Sequence, residues 1–551
     1  MGRYILGISA GSHDSAAVLL EDAQLLAAVE EEKLARVRRV RGLPVRAISY
    51  CLEASRVGHD EVEYIALARP LRGGEPGGLS RGEASIPRRL KEQFPASKVV
   101  VLDHHLCHAA SAYFPSPFEQ AGVLTLDENG DLKSGSFSLA RGVELEPLED
   151  AYLPDSVGNL YSRVAALAGF APSGDEHKLQ WLSACGKPAY AEVFRKLLRT
   201  DQGALLRVDQ GYFHAGRDET GGFAEKFFQE TGLEASQPLS DETRANLAAS
   251  MQEVLEETVI EIGRRCSERH QVQNLCLAGG VALNSLLIER LETSGVFSGV
   301  FVQPAAGNAG TSLGAALYCA HALLGLKTRC PLQHLFYGPE YSDDAIKDVL
   351  ENCKLRFRYL PKRQEMIAAA VDALRADQIV GWFQGRAEFG PRALGARSIL
   401  ASPLGRYVNE NLNQFVKHRE QFRPFAASVT EERASEFFEF QPMARFLATV
   451  GRVKPTHRET FASNLLPDRA TDDGNPAGPG RIRVQVVERK TNPLFWELLD
   501  AFGRATGVPV LFNTSFNLFG EPLVCSPRDA VRSFYCSGLD HLVIGHFSIA
   551  K

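Results

Sequence analysis

The chain of 551 residues contains ten cysteines, but no two of them have Cys-x-x-Cys spacing. Zinc ribbons and thioredoxin-type dithiols need such pairs, so the spacing argues against both kinds of site. A basic excess is also missing, because 61 lysines and arginines face 67 aspartates and glutamates, which gives a net charge of −6. That balance argues against a protein whose main task is to bind nucleic acid.

Long apolar runs are missing as well. The apolar start at Tyr4 is interrupted within one strand length by His13 and Asp14, which is not the pattern of a secretory signal. The most apolar stretch, residues 310–326, contains His321 and predicts a buried helix rather than a membrane span. We therefore expect a cytoplasmic protein with free thiols and no membrane partner.

Two segments of the chain share one pattern. Residues 4–30 read as three short apolar strands separated by turn residues, and residues 122–148 repeat that order. A further apolar strand, 275–278, runs into Gly279 and Gly280 and then into a helical stretch. Duplicated units with glycine turns at strand ends favour an actin-like ATPase architecture, although other large α/β proteins also contain such hairpins.

The pattern of apolar residues changes near Tyr337, and this change indicates a domain boundary. Apolar residues at three- and four-residue spacing predict a long helix over 244–266, and a new helix at 365–375 precedes a strand at 379–383. We therefore predict α/β and α+β domains at residues 1–345 and 346–551. Surface loops are expected at 72–83 and 467–480.

The histidine-rich segment 103–109 is a candidate metal site. If it is helical, His104 and His108 are four residues apart on one face, where two imidazoles can chelate one divalent ion. Asp127, in the turn of the second hairpin unit, is the natural third ligand. A helix that is capped by Asp103 and contains partly buried histidines is the alternative.

An arginine-rich loop follows the strand at 379–383. Gly385 and Gly390 have the spacing of a phosphate-binding Walker loop, but Pro391 and Arg392 replace its lysine and hydroxyl residue, so we exclude that loop. Several guanidinium groups together still favour a polyanionic small molecule. The alternative for 416–425 is a solvated helix face with a Lys417–Glu420 pair.

The motifs, in this order, resemble the O-carbamoyltransferase family, which includes the tobramycin, novobiocin and cephamycin enzymes and the nodulation carbamoyltransferase. The most specific is Gly-Pro-Arg-Ala-Leu-Gly at 390–395. The resemblance is carried by residues 11–17, 103–109, 175–178, 186–188, 278–284, 388–398, 417–425, 513–517 and 520–522. It implies an N-terminal actin-like ATPase domain related to the tRNA threonylcarbamoyl transferase (Kae1-like) and a C-terminal YrdC-like domain.

The resemblance also implies a reaction in two steps. The C-terminal domain uses ATP with Mg²⁺ and carbamoyl phosphate to form a carbamoyl-adenylate, with phosphate and pyrophosphate as products. The N-terminal domain then transfers the carbamoyl group to a hydroxyl of a small biosynthetic intermediate, and Fe²⁺ or a similar ion polarises its carbonyl. A tRNA threonylcarbamoyl-type transferase and a non-catalytic ATP-binding regulatory protein remain as alternatives.

Site residues follow from the motifs position by position. The predicted catalytic residues are His13, Arg392, Arg397 and Lys417. The predicted substrate- and nucleotide-binding residues are Gly11, Asp14, Lys178, Gly279, Gly280, Asn284, Glu388, Ser398, Arg419, Arg423, Arg483, Asn513, Ser515 and Asn517. The predicted metal ligands are His104, His108 and Asp127. Asn308 stands where the family has a metal-binding aspartate, and its uncharged amide predicts weaker metal binding. A structural role for His13 is the alternative to its contact with the adenylate or the acceptor proton.

Overall fold

The computed structural model of the chain describes residues 2–11, 13–68, 85–171, 174–200, 204–214, 221–467 and 480–551. The loop predicted at 72–83 and nearly all of the loop predicted at 467–480 lie outside these residues. The fold is a mixed α/β fold, and the residues that the structure describes form three large sheets and one two-stranded ribbon.

The strands are numbered in chain order. They are β1 Tyr4–Ser9, β2 Ala16–Glu21, β3 Gln24–Glu30, β4 Val62–Ala68, β5 Lys98–Leu102, β6 Gln120–Gly130, β7 Lys133–Arg141, β8 Glu144–Tyr152, β9 Leu198–Arg199, β10 Arg207–Val208, β11 Asn274–Ala278, β12 Gly299–Val302, β13 Arg358–Tyr359, β14 Val380–Phe383, β15 Arg397–Ala401, β16 Ala426–Thr430, β17 Phe438–Glu439, β18 Val450–Val453, β19 Arg481–Val487, β20 Val510–Ser515, β21 His541–Ile544 and β22 Phe547–Ala550.

The α-helices are referred to by their bounds. They are Glu31–Ala35, Val45–Ser55, Ile86–Gln93, His104–Tyr113, Val157–Leu167, Glu176–Leu182, Ala191–Leu197, Glu225–Thr231, Asp241–His270, Ser285–Thr293, Gly310–Tyr318, Asp343–Asn352, Arg363–Arg375, Val408–Glu410, Glu431–Phe437, Pro493–Thr506 and Pro527–Tyr535. Wider π-helical turns extend two of them, at Cys319–Leu323 and Asn411–Lys417. Within the described residues, no helix combines the length and hydrophobicity needed to cross a bilayer.

The first two sheets have the same topology. In the order β3-β2-β1-β4-β5, an antiparallel meander is extended by two parallel strands. The second sheet repeats this as β8-β7-β6-β11-β12, again with three antiparallel and two parallel strands. The structure therefore confirms the duplication that the two strand patterns predict.

The third sheet has ten strands, in the order β13-β22-β21-β14-β15-β20-β16-β19-β18-β17. Helix Asp343–Asn352 packs against Pro527–Tyr535, and its Ile346 and Leu350 join the core on one side of this sheet. The predicted boundary at 345/346 falls inside this helix. We propose that the two domains divide before Asp343, and we use "front part" for residues 2–342 and "rear part" for 343–551.

Two crossing helices connect the repeated sheets. Helix Gly310–Tyr318 packs on β1 and β4, and helix His104–Tyr113 packs on β6 and β11. A methyl group added at Gly314 would lie 1.7 Å from the Cys107 carbonyl oxygen, and one at Gly7 would lie 2.1 Å from the Ser312 oxygen. The backbones are therefore in contact at both positions, and only glycine fits there.

This contact predicts a large effect of a single methyl group. Gly314→Ala should lower the free energy of unfolding by about 3 kcal/mol, because the added methyl must push the helix His104–Tyr113 away. Denaturant unfolding measures the change. Gly307→Ala is the matched control, because its methyl would lie 3.7 Å from the nearest atom, Leu283 Cδ1. Equal stability of the two variants would contradict the close crossing.

Candidate functional site

Helix His104–Tyr113 presents two histidines on one face. The helix begins directly after β5, and the Asp103 carboxylate caps it by accepting a hydrogen bond from the Leu106 amide at 3.0 Å. His104 and His108 are both buried. The predicted helix is therefore present, and so are the Asp103 cap and the buried histidines of the alternative interpretation. The two imidazoles share one face, with their ring centroids 4.6 Å apart.

Asp127 faces these histidines from β6. Its Oδ2 lies 3.1 Å from His108 Nε2 and 3.5 Å from His104 Nε2, while its Oδ1 accepts a hydrogen bond from the Glu128 amide at 2.7 Å. The pairing of β6 with β7 is interrupted between Leu126 and Gly130, and such irregularities redirect side chains. Burial alone would raise the pKa of Asp127, but the two histidines hold it well below its usual range.

These three residues fit a divalent metal ion. One ligand atom from each of His104, His108 and Asp127 lies within 4.8 Å of the other two. His104 Nε2 is buried and has no hydrogen-bond partner within the described residues. Two imidazoles and one carboxylate are a donor set that suits ferrous iron and other transition metals. The predicted metal ligands are therefore together, with a geometry that an ion would complete.

A glycine pair at the end of β11 lies against this group. Gly279 has a φ of 94°, and a Cβ there would lie 2.1 Å from the Leu126 carbonyl oxygen. A Cβ on Gly280 would lie 3.0 Å from Asp127 Oδ1. The pair thus allows the end of β11 to approach the Asp127 strand closely. Asn284 instead caps helix Ser285–Thr293 and exchanges two hydrogen bonds with Gln252, so its amide is already engaged within the protein.

His13 lies in the turn after β1. Its Nδ1 is 2.8 Å from Asp14 Oδ2, and the Asn308 amide nitrogen is 3.3 and 3.4 Å from its two ring nitrogens. Burial raises the pKa of Asp14, but the His13 hydrogen bond and nearby arginine charges outweigh it and lower the pKa overall. Asn308, predicted as a doubtful metal ligand, thus contacts His13. Gly11 shapes this turn with a φ of 122°.

The rear part holds a cluster of five cations, three from the segment 417–423, one from the loop between β14 and β15 and one from β19. We define the cationic cluster as Arg392, Lys417, Arg419, Arg423 and Arg483. Burial lowers the pKa of all five groups, most simply in Arg392, where burial brings the pKa to about 10. Repulsion from neighbouring members of the cluster lowers the pKa of Lys417, Arg419 and Arg483 further.

Lys417 is anchored at the end of β20. Its Nζ donates hydrogen bonds to the Ser515 carbonyl at 2.9 Å, the Asn517 carbonyl at 2.9 Å and Asn517 Oδ1 at 2.6 Å. Asn513, on the same strand, donates to Gln485 Oε1 at 2.9 Å. Lys417 is only 5% exposed, so the alternative of a solvated helix face for this segment is wrong.

Some nitrogens of the cluster lack hydrogen-bond partners. Within the described residues, Arg419 Nη2, Arg423 Nε and Arg483 Nε are buried atoms of this kind. The nearest described carboxylate is that of Glu420, which is 3.7 Å from Arg423 and 3.0 Å from Lys178 of the front part. The Asp175 carboxylate also attracts Arg423 and lies 3.1 Å from Lys178. In the part of the chain that the structure describes, these two carboxylates still leave the five cations with a positive excess. The arrangement can therefore bind an anion.

The structure does not bring Arg397, Ser398 or Glu388 into the cluster. The Arg397 guanidinium is fully buried and donates to the carbonyls of Gln384 and Pro339 at 2.8 Å. Ser398 Oγ accepts from the Gly395 amide, and Glu388 Oε1 accepts from amides of its own loop. These three side chains maintain the loop between β14 and β15.

The sequence motifs missed several residues around the cluster. Trp181 lies beneath Arg483, with 5.2 Å between the guanidinium carbon and the ring. Gln485 connects Ser428 and Asn513 through its Oε1. The position of Trp181, one helical turn after Lys178, is a signal that could have identified it. Gln485 gives no such local signal because its partners come from other strands.

Comparisons with known proteins cover nearly the whole chain. The family model "Carbamoyltransferase N-terminus" matches residues 4–70 and 81–317, and "Carbamoyltransferase C-terminus" matches 371–551. An uncharacterized protein of Synechocystis is 34% identical over 100% of this chain and 97% of its own. Nodulation protein NolNO of Sinorhizobium fredii is 36% identical over 98% of this chain and 79% of its own. The 3'-hydroxymethylcephem-O-carbamoyltransferase of Amycolatopsis lactamdurans is 28% identical over 97% of this chain and 96% of its own.

The convergence of His104, His108 and Asp127 predicts one bound divalent ion per chain. Anaerobic incubation with ferrous iron, followed by desalting and elemental analysis, should give about one equivalent for the unaltered protein. His108→Ala and Asp127→Ala should each lose the ion because a ligand is removed. His59→Ala, an exposed histidine, is the control and should retain it. Equal iron content in all four proteins would contradict the site.

Proposed function

The chain belongs to the carbamoyltransferase family and is a transferase enzyme, and on this premise we propose that it is an ATP- and carbamoyl-phosphate-dependent O-carbamoyltransferase. In this proposal the rear part is the YrdC-like domain that forms a carbamoyl-adenylate. The front part is the Kae1-like, actin-like domain that transfers the carbamoyl group to a hydroxyl.

The cationic cluster is the observation that carries this proposal. Desolvating several like charges costs several kcal/mol per ion, and the cost is offset only when counter-charges are present. Within the described residues, Glu420 and Asp175 supply two carboxylates, and Lys178 shares both of them. Arg423 keeps 18% of its side chain exposed, so a solute can reach the cluster. Carbamoyl phosphate and the ATP triphosphate would supply the missing negative charge.

The first step then balances as follows. Water hydrolyses carbamoyl phosphate to carbamate and phosphate, and a carbamate oxygen attacks the α-phosphorus of ATP. The new P–O bond gives carbamoyl-adenylate, and pyrophosphate leaves with the electron pair of the broken bond. Cations fixed around both anions reduce their mutual repulsion and stabilise the charge that develops on pyrophosphate. Mg²⁺ would accompany the triphosphate.

The second step uses the front part. The acceptor hydroxyl oxygen bonds to the carbamoyl carbon, AMP leaves, and the hydroxyl proton goes to His13 Nε2. Asp14 orients the ring through Nδ1 at 2.8 Å, and Nε2 would take the proton in place of its 3.4 Å contact with the Asn308 amide nitrogen. A divalent ion on His104, His108 and Asp127 would act as a Lewis acid toward the carbamoyl carbonyl.

The acceptor class is taken from the relatives. One is named for nodulation and another for a hydroxymethylcephem. The second name specifies carbamoyl transfer to the oxygen of a hydroxymethyl group. We propose such a hydroxyl compound, with a natural-product intermediate favoured over a nodulation-type glycan.

Two variants should separate the two steps. Arg483→Ala should reduce pyrophosphate formation from ATP and carbamoyl phosphate by about a hundredfold or more, because a cation of the cluster is lost. His13→Ala should form pyrophosphate at close to the normal rate but reduce carbamoyl transfer by about a hundredfold, because the proton acceptor is missing. A coupled pyrophosphate assay and mass spectrometry of a supplied hydroxyl acceptor measure the two reactions.

Arg264→Ala is the matched control for the arginine variant. Its side chain is 44% exposed on the long helix Asp241–His270, and it should leave both reactions unchanged. Pyrophosphate formation that is unaffected by Arg483→Ala would reject the rear-part assignment. Loss of pyrophosphate formation in His13→Ala would reject the division of the two steps between the parts.

A further inference from the structure

Two charged residues of the front part form hydrogen bonds with the loop that carries Arg392. Lys33, in helix Glu31–Ala35, donates through Nζ to the Glu388 carbonyl at 2.7 Å and to the Gly390 carbonyl at 2.8 Å. The Gly390 amide donates to Glu30 Oε1 at 2.6 Å, and the other Glu30 oxygen lies 2.9 Å from Lys33 Nζ. Lys33 and Glu30 thus bind both polar backbone groups of Gly390.

All the charges in this contact are removed from water. Lys33 is 2% exposed, Glu30 5% and Glu388 0%. Burial raises the pKa of Glu30, although Lys33 opposes that rise. Because a buried charge without a partner is costly, each of these groups is restricted to the geometry that satisfies the others. The contact is therefore a rigid one.

The loop connects these hydrogen bonds to the position of Arg392. Glu388 Oε1 accepts hydrogen bonds from the amides of Leu394 and Ala396, both at 2.8 Å, which ties the two sides of the loop together. Arg392 lies between these tied positions. Its Nη2 donates at 3.0 Å to the Leu283 carbonyl and to Ser285 Oγ of the front part. Arg392 is close enough to Arg483 to lower the pKa of that residue.

We propose that Lys33 and Glu30 are positioning residues of the anion site: from the front part, they hold residues 388–390 so that Arg392 stays in the cationic cluster. This inference rests on the proposed function, because it assigns the cluster to carbamoyl phosphate and ATP. Neither residue belongs to the cluster itself. Their effect on the anion is therefore indirect, because they act by fixing the position of the Arg392 guanidinium.

The test compares two lysines that each donate to two backbone carbonyls, the buried Lys33 and the exposed Lys91. Lys33→Met removes the ammonium but keeps a side chain of similar length. Lys91→Met is the matched control, because Lys91 Nζ also donates to two carbonyls, those of Pro95 at 2.9 Å and Ser97 at 2.7 Å, far along the chain from the loop. Pyrophosphate formation is followed with carbamoyl phosphate as the varied substrate, and thermal melting is recorded for each variant.

Lys33→Met should raise the KM for carbamoyl phosphate about tenfold, while kcat at saturation changes by less than about threefold. Lys91→Met should leave both constants unchanged. In an Arg392→Ala background, Lys33→Met should add less than about a twofold change in KM, because the residue through which it acts is absent. Glu30→Gln should give an intermediate KM, and it serves as the second variant if Lys33→Met does not fold.

The outcomes separate this inference from the proposal on which it rests. A lower melting temperature of Lys33→Met with an unchanged KM would overturn the positioning role and leave the carbamoyltransferase assignment intact. The same is true if Lys33→Met changes KM by the full factor in the Arg392→Ala background. If the unaltered protein forms no pyrophosphate from ATP and carbamoyl phosphate, the proposed function fails, and this inference fails with it.

Discussion

The site depends on one physical constraint. Positive charge is concentrated in a place that is partly removed from water. Five cations approach one another in the rear part, and Glu420 is the acid nearest to them within the described residues. Folding must therefore supply enough neutral dipoles to hold the cations in place, as the Ser515 and Asn517 carbonyls do for Lys417. The cations still lack negative partners, and this lack favours an anionic ligand. The charge of such a ligand offsets the cost of removing the cations from water.

Holding these cations in place engages both parts of the chain. The two family models divide the sequence, yet Arg392 is anchored on the front part at Leu283 and Ser285. Lys178 of the front part shares the Glu420 carboxylate with Arg423. A rear part that separated from the front part would lose these contacts. The cationic cluster is therefore a property of the two packed parts together.

Features with local causes were predictable from the sequence. The two meanders and the shared face of His104 and His108 follow from spacing alone, as does the Asp103 cap. The different structural roles of Arg392 and Arg397 were not predictable from the sequence. Arg392 and Arg397 are five residues apart, but Arg397 begins β15 and is enclosed by carbonyls, whereas Arg392 remains in the loop. That difference depends on long-range packing, which short motifs do not encode.

Asn308 sets the local chemistry on one side of His13. Its amide nitrogen lies beside the His13 ring and brings no negative charge. A carboxylate in that place would put a second acceptor beside the ring, whereas the amide nitrogen is a hydrogen-bond donor. With the amide, Asp14 remains the carboxylate that orients His13. The ring thus has one carboxylate and one amide beside it, and both come from residues outside the predicted His104, His108 and Asp127 group.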